Sequence, residues 1–251
     1  MFDVRAATLV CMTCLLAVAC GSQTSPVREE RALAASAVRC APRSERLISA
    51  RVAYAAVAVR RLHAFRKPGR RPFARFGTLN KNGVPTVFGV RAVLTSRDCS
   101  RWYRVQLPRR PNGVEGWVRG ADVELAKVRT RLEVDLSSRR VTLFRDGRPV
   151  LRTIGSIGSP ATPTPIGRYY VNQRLFVQDP TGPFGPLVIG ISGFSNVLTW
   201  WRQGGPIAIH GTNQPWSIGQ AVSNGCVRVR NDVLRRLFRQ AIAGTPVIIH
   251  P

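Results

Sequence analysis

Cys226 and His210 are the residues of this chain whose types and spacing best support covalent chemistry. They stand in Ile207-Ala208-Ile209-His210-Gly211-Thr212 and Ser223-Asn224-Gly225-Cys226-Val227-Arg228. A thiol with an ordinary pKa of about 8.5 becomes a strong nucleophile once deprotonated, and a nearby imidazole can take or stabilise that charge. His63 lies in the N-terminal half and His250 one residue from the end, so neither is as easily placed beside Cys226. The polar, glycine-containing SNGC bend is expected to lift the thiol out of a core and aim backbone N–H groups at a developing oxyanion, as acyl transfer requires. Read from chemistry alone, the same two residues also fit a buried cysteine and a histidine hydrogen-bonded in place.

The elements that must position them are mostly strands. Arg131-Leu132-Glu133-Val134-Asp135-Leu136 carries its apolar residues on every second position, which predicts a strand with one buried face. Val141 to Phe144, the turn Asp146-Gly147 and Pro149 to Leu151 read as a hairpin. The glycines and prolines of 155–167 predict a loop, and Arg168 to Phe176 and Pro206 to His210 predict strands. A helix is expected over Asn231 to Ala243, with Asn231 as its cap and Gly244 and Pro246 as its stop, and Val247 to Ile249 is a last strand. Trp200, Trp201 and Trp216 fit either the wall of a cleft or the core. In the N-terminal half, Arg51 to Val57, Val87 to Val90 and Trp102 to Leu107 read as strands. Arg110-Pro111-Asn112-Gly113 supplies hairpin turn chemistry before Gly116-Trp117-Val118.

Arg5 followed by the apolar run Ala6 to Ala19 has the length of a signal-peptide core, so the chain is expected to be exported. The run ends in Ala17-Val18-Ala19-Cys20-Gly21, which resembles a lipoprotein signal with Cys20 as the lipid-bearing residue; simple cleavage after Ala19 is the alternative. Removal of Cys11 and Cys14 and use of Cys20 at the terminus leave Cys40, Cys99 and Cys226. An odd number in an oxidising compartment suggests one disulfide and one free thiol. Cys40 and Cys99 share the N-terminal half and leave Cys226 over, although three unpaired thiols remain an alternative. The formal charge is +25, with 38 basic residues against 13 acidic, and only Lys67, Lys81 and Lys127 among the basic ones are lysine. Such a surface attracts polyanions, though a genome rich in G and C would produce the same arginine excess. No reading helix, RNA-binding sheet or zinc module stands out, so nucleic acid is not an expected partner.

HGT, a loop with Ile218-Gly219, and SNGCVR follow one another in the order of the L,D-transpeptidase family with a YkuD-type catalytic domain, and the chain resembles that family from Val128 to Pro251. VDLSSRRVTLFRDG and Thr162-Pro163-Thr164-Pro165-Ile166-Gly167 extend the resemblance upstream. WYRVQLP followed by RPNGVEGWV is similar to bacterial SH3-like modules of cell-wall enzymes. These resemblances imply a mainly β protein: a signal at 1–20, a linker at 21–48, an SH3-like barrel at 49–127 and a YkuD-type β-sandwich with one short C-terminal helix at 128–251. They imply Cys226 as nucleophile and His210 as general base, with Ser223 and Gly225 shaping the pocket and Arg228 meeting a substrate carboxylate. Asn224, Gly211 and Thr212 complete the expected binding residues; Asn224 departs from the second histidine of many members, which is expected to alter the pocket without abolishing activity. The implied reaction forms 3→3 cross-links between peptidoglycan stem peptides through a thioester, with no cofactor and no metal. Water as acceptor would make the protein an L,D-carboxypeptidase, and a non-catalytic wall-binding protein is a further reading. Expected partners are stem peptides, anionic cell-wall polymers, and the membrane through an N-terminal lipid.

Overall fold

The computed structural model describes residues 39–251. The predicted signal at 1–20, including Cys20, lies outside them. Three hydrophobic clusters organise the described chain, one over 56–123, one over 132–249 and a small one of Ala53, Ala55, Val87 and Val128.

The N-terminal part is an antiparallel sheet of β1 (Arg43–Arg46), β2 (Ala53–Ala58), β3 (Leu62–Phe65), β4 (Pro72–Phe76), β5 (Val87–Thr95), β6 (Arg101–Gln106), β7 (Glu115–Arg119) and β8 (Val123–Val128). The strands run in the order β4-β3-β7-β6-β5-β2-β8, and β1 pairs with the far end of β5. β1 falls inside the stretch expected to be a linker. It is ordered because the Cys40–Cys99 disulfide clips it to the turn after β5 and its backbone pairs with Ala92 to Thr95. The expected β6–β7 hairpin is present, and Gly113 takes φ +80° in its turn, where a side chain would be strained.

The C-terminal part contains β9 (Thr130–Asp135), β10 (Arg140–Arg145), β11 (Arg148–Ile154), β12 (Ile157–Gly158), β13 (Gly167–Phe176), β14 (Leu187–Phe194), β15 (Pro206–His210), β16 (Ala221–Ser223), β17 (Val227–Arg228), helix α1 (Asn231–Gln240) and β18 (Pro246–His250). Eight of these strands form one sheet in the order β11-β10-β9-β18-β13-β14-β15-β17. The sheet changes partners along β13: Gly167 to Tyr170 pair with β18, and Val171 to Phe176 with β14. The halves on either side of that change share one core, in which Leu132, Val134, Val141 and Leu143 of one meet Ile189, Ile191, Ile207, Ile209 and Val227 of the other. The alternation read in 131–136 places Leu132 and Val134 in that core.

Three sequence expectations are corrected. The 155–167 loop contains β12, which pairs in parallel with β16 because Ile157 and Ser159 donate backbone bonds to Gln220 and Ser223. The helix ends at Gln240 rather than Ala243, since Ala241 has already left helical geometry at φ −80°, ψ 80°. Asn231 is the first residue of the helix rather than its cap, a place held by Arg230 without a side-chain bond. β14 had no counterpart in the sequence reading; its two glycines interrupt the apolar run, yet it is almost wholly buried at the centre of the sheet.

Candidate active site

His210 ends β15 and Cys226 immediately precedes β17, at the edge of the large sheet. The two strands are parallel, with Ile209 opposite Val227 and His210 opposite Arg228. Ile207, Ile209, Val227 and Val229 point into the core. By the alternation of a strand, Ala208, His210, Cys226 and Arg228 project from the other face together. That shared face brings the two sequence-predicted residues into one site.

The ring of His210 is 3% exposed and packs edge-on against Phe184 at 5.0 Å between centroids. Its Nδ1 lies 2.6 Å from the Gly211 carbonyl oxygen. A carbonyl only accepts, so Nδ1 carries the proton and Nε2 is left with its lone pair. Burial lowers the imidazole pKa from 6.5 to about 4; the Gly211 bond opposes that shift, and the Arg228 charge adds to it. Cys226 is the free cysteine among the described residues and is partly buried. Burial raises its pKa, while the Ala208 backbone and the Arg228 charge pull the other way. Near neutral pH the resting pair is therefore thiol and neutral imidazole, with a lone pair available to receive the thiol proton.

The bend that carries Cys226 is held on both sides. Ser223 is 1% exposed; its hydroxyl donates to the Cys226 carbonyl at 2.5 Å and accepts from Gly225 N at 3.1 Å. The expectation that the SNGC bend offers its amides to an oxyanion is thus corrected at Gly225, whose N–H is spent on Ser223. Gly225 has φ +105°, and an added Cβ would sit 3.0 Å from Ile207 Cδ1. Beneath the bend, the Thr162 hydroxyl donates to the Ser223 carbonyl at 3.0 Å, and Gly158 N donates to the Thr164 hydroxyl at 2.8 Å. Gly158 faces these threonines so closely that a Cβ would fall 2.4 Å from Thr162 O.

The histidine side is held by Asn231, a residue whose part here sequence reasoning missed. Its Oδ1 accepts from Thr212 N at 2.9 Å and its Nδ2 donates to Thr212 O at 3.1 Å. A Cβ on Gly211 would meet Asn231 Oδ1 at 2.1 Å, so glycine is required where helix and strand end touch. Thr212 turns its hydroxyl to Gln214 N at 2.9 Å, and Gln214 Oε1 accepts from Arg228 at 3.1 Å. Arg228 Nε is buried without a partner. Asn224 is exposed on the bend. Trp200, Trp201 and Trp216 are all exposed, which rules out the core reading, and Phe184 is the aromatic that touches His210.

A neutral cysteine–histidine pair on adjoining strand ends has the residue types that a thiol acyl transfer uses. Residues 129–249 match the family model of the L,D-transpeptidase catalytic domain, YkuD, so the C-terminal part of this chain is similar to that domain. It is 33% identical over 119 residues to YkuD of Bacillus subtilis, covering 47% of this chain and 65% of that one. YkuD of Bacillus licheniformis is 35% identical over 121 residues, 48% of this chain and 66% of that one. The chain thus spans just under two thirds of the length of these curated relatives. Among solved structures, the catalytic domain of the Enterococcus faecium L,D-transpeptidase aligns at 26% identity and a TM-score of 0.36, covering 48% of this chain and 96% of that domain.

Proposed function

We propose that this protein is a peptidoglycan L,D-transpeptidase that works through a Cys226 thioester. The observation that carries the reading is the Nδ1–H bond from His210 to Gly211 O, which leaves Nε2 as the base on the face shared with Cys226. The thiol attacks the carbonyl of the L-centre at the third stem position as its proton passes to Nε2. The tetrahedral intermediate then collapses, and the imidazolium returns that proton to the departing amine of the terminal D-residue. An amine of a neighbouring stem attacks the thioester, His210 takes its proton, and the thiol is restored with a 3→3 cross-link formed. Arg228, whose charge favours the thiolate over the imidazolium, is the residue we assign to a substrate carboxylate. Ser223, Gly225, Gly211 and Thr212 hold the two reacting groups, and Asn224 borders the substrate.

The rest of the chain is assigned on the same reading. Residues 1–20 act as an export signal, Cys20 carries a lipid, and the mature protein faces the cell wall. The sheet up to Val128 serves as the SH3-like wall-directed module, and anionic wall polymers are its partners. Incubation of the purified protein with a tetrapeptide-bearing muropeptide, followed by mass spectrometry, tests the reaction. Cross-linked dimers with loss of one D-residue are expected; tripeptide without dimers would make water the acceptor, and unchanged substrate would sink the proposal. Partition into detergent that is lost in Cys20→Ala tests the anchor.

A further inference from the structure

The joint between the two parts of the chain contains a cleft of about 1040 Å³ away from Cys226. Arg46 of β1, Arg91 of β5, Arg104 of β6, Arg131 of β9 and Arg168 of β13 line it, with Glu115 the carboxylate among its lining. Glu115 answers two of these cations, standing 3.5 Å from Arg91 Nε and 2.6 Å from Arg104 Nε. Arg131 pairs with Glu133 at 3.1 Å and lies over the Phe144 ring. Arg46 and Arg168 are exposed and form no ion pair among the described residues. The floor is built: Gln106, fully buried, accepts from Arg91 at 2.5 Å and donates to the Arg168 carbonyl at 2.8 Å. Burial lowers the pKa of Arg91; Glu115 opposes that shift, while the charges of Arg168 and Arg46 add to it, so these guanidiniums stand close enough to repel one another.

Cations gathered from five strands into one recess, with too few carboxylates to answer them, are relieved by bound oxyanions, and each planar guanidinium fork matches a phosphate or carboxylate. The recess is far larger than one oxyanion and lies at the upper end of the ordinary range of ligand sites, about 300–1,000 Å³. It is concave and set between two modules, so a flexible chain can enter it while a flat bilayer cannot. We infer that this inter-module cleft binds a segment of a soluble polyanion carrying several phosphate or carboxylate groups. The inference rests on the polymer-partner reading above and gives it an address.

Full-length protein titrated with soluble polyphosphate, with Arg46→Gln/Arg168→Gln compared against the charge-matched Arg235→Gln/Arg239→Gln on the exposed face of α1, tests it. The cleft pair is expected to weaken binding by about tenfold or more and the control pair by less than about twofold. Turnover of the soluble muropeptide should be unchanged in both variants. Equal loss in the two variants overturns the cleft and leaves the partner reading as a net-charge effect. No binding by the wild type overturns both. Cleft-dependent binding to anionic phospholipid vesicles without binding to the soluble polymer replaces the proposed partner with a membrane and overturns the inference.

Discussion

Proton traffic at His210 is set by burial pulling its pKa down and by a carbonyl that fixes its tautomer. With the folded pKa at about 4 and the ordinary value 6.5, the unfolded chain binds the proton more readily over the interval between them. The stability that the neutral, buried ring contributes is full above pH 6.5 and is lost as pH falls through about 4, roughly 3 kcal/mol in all. Chemical denaturation at a series of pH values should show that loss, and His210→Gln, which cannot take up a proton, should flatten it. The chemistry gives a second expectation. A carbapenem adduct, read by intact mass, should form on the wild type, be absent from Cys226→Ala and appear about 10² to 10⁴ more slowly on His210→Ala. Adduct formation at the wild-type rate without the imidazole would make His210 a structural residue. Both reacting residue types were legible because the HGT and SNGC segments display them in sequence. The proton-bearing nitrogen was not, since it depends on where the Gly211 carbonyl points. Phe184 was equally hidden, standing alone in a glycine- and proline-rich segment with no periodic pattern.

At the scale of elements, the site is two strand ends braced from opposite sides. Asn231 bridges helix α1 to the Gly211-Thr212 turn, and through that turn it holds the carbonyl that orients the imidazole. Asn231→Asp keeps the acceptor for Thr212 N, removes the donor to Thr212 O and adds a negative charge beside the turn. That charge favours the imidazolium, so the acid limb of the kcat/KM profile should move upward in pH relative to wild type. A purely scaffolding role would lower activity with the limb unmoved. The sequence assigned Asn231 to a cap because an asparagine at the head of an amphipathic run commonly has that role; the backbone of the turn after β15 won its side chain instead. A strand with clean alternation, such as β9, was readable. β14 was not, because a strand buried on both faces lacks the alternation that reveals a half-buried one.

For the whole molecule, the two sheets behave as one body. Tyr170, buried on β13, donates its hydroxyl to the Val87 carbonyl at 3.1 Å across the joint. Its ring lies so close to Gly89 that a Cβ there would sit 2.8 Å from Tyr170 Cδ1. Asn112 adds a side-chain pair to the Phe194 backbone, accepting from its N–H at 2.9 Å and donating to its carbonyl at 2.8 Å. A single thermal transition is therefore expected for both parts, and Gly89→Ala should lower its midpoint, at a cost of about 1–3 kcal/mol for overpacking, without splitting it into two. Two separate transitions in differential scanning calorimetry would contradict that coupling. The tyrosine and its seat also bear on inheritance. They lie more than eighty residues apart in the chain, so a recombination that exchanges one half of the gene separates plug from socket. A foreign N-terminal module would be inherited productively only if it brought a glycine-sized gap and an open carbonyl at matching positions, and lineages of this protein should therefore pass on its two halves together.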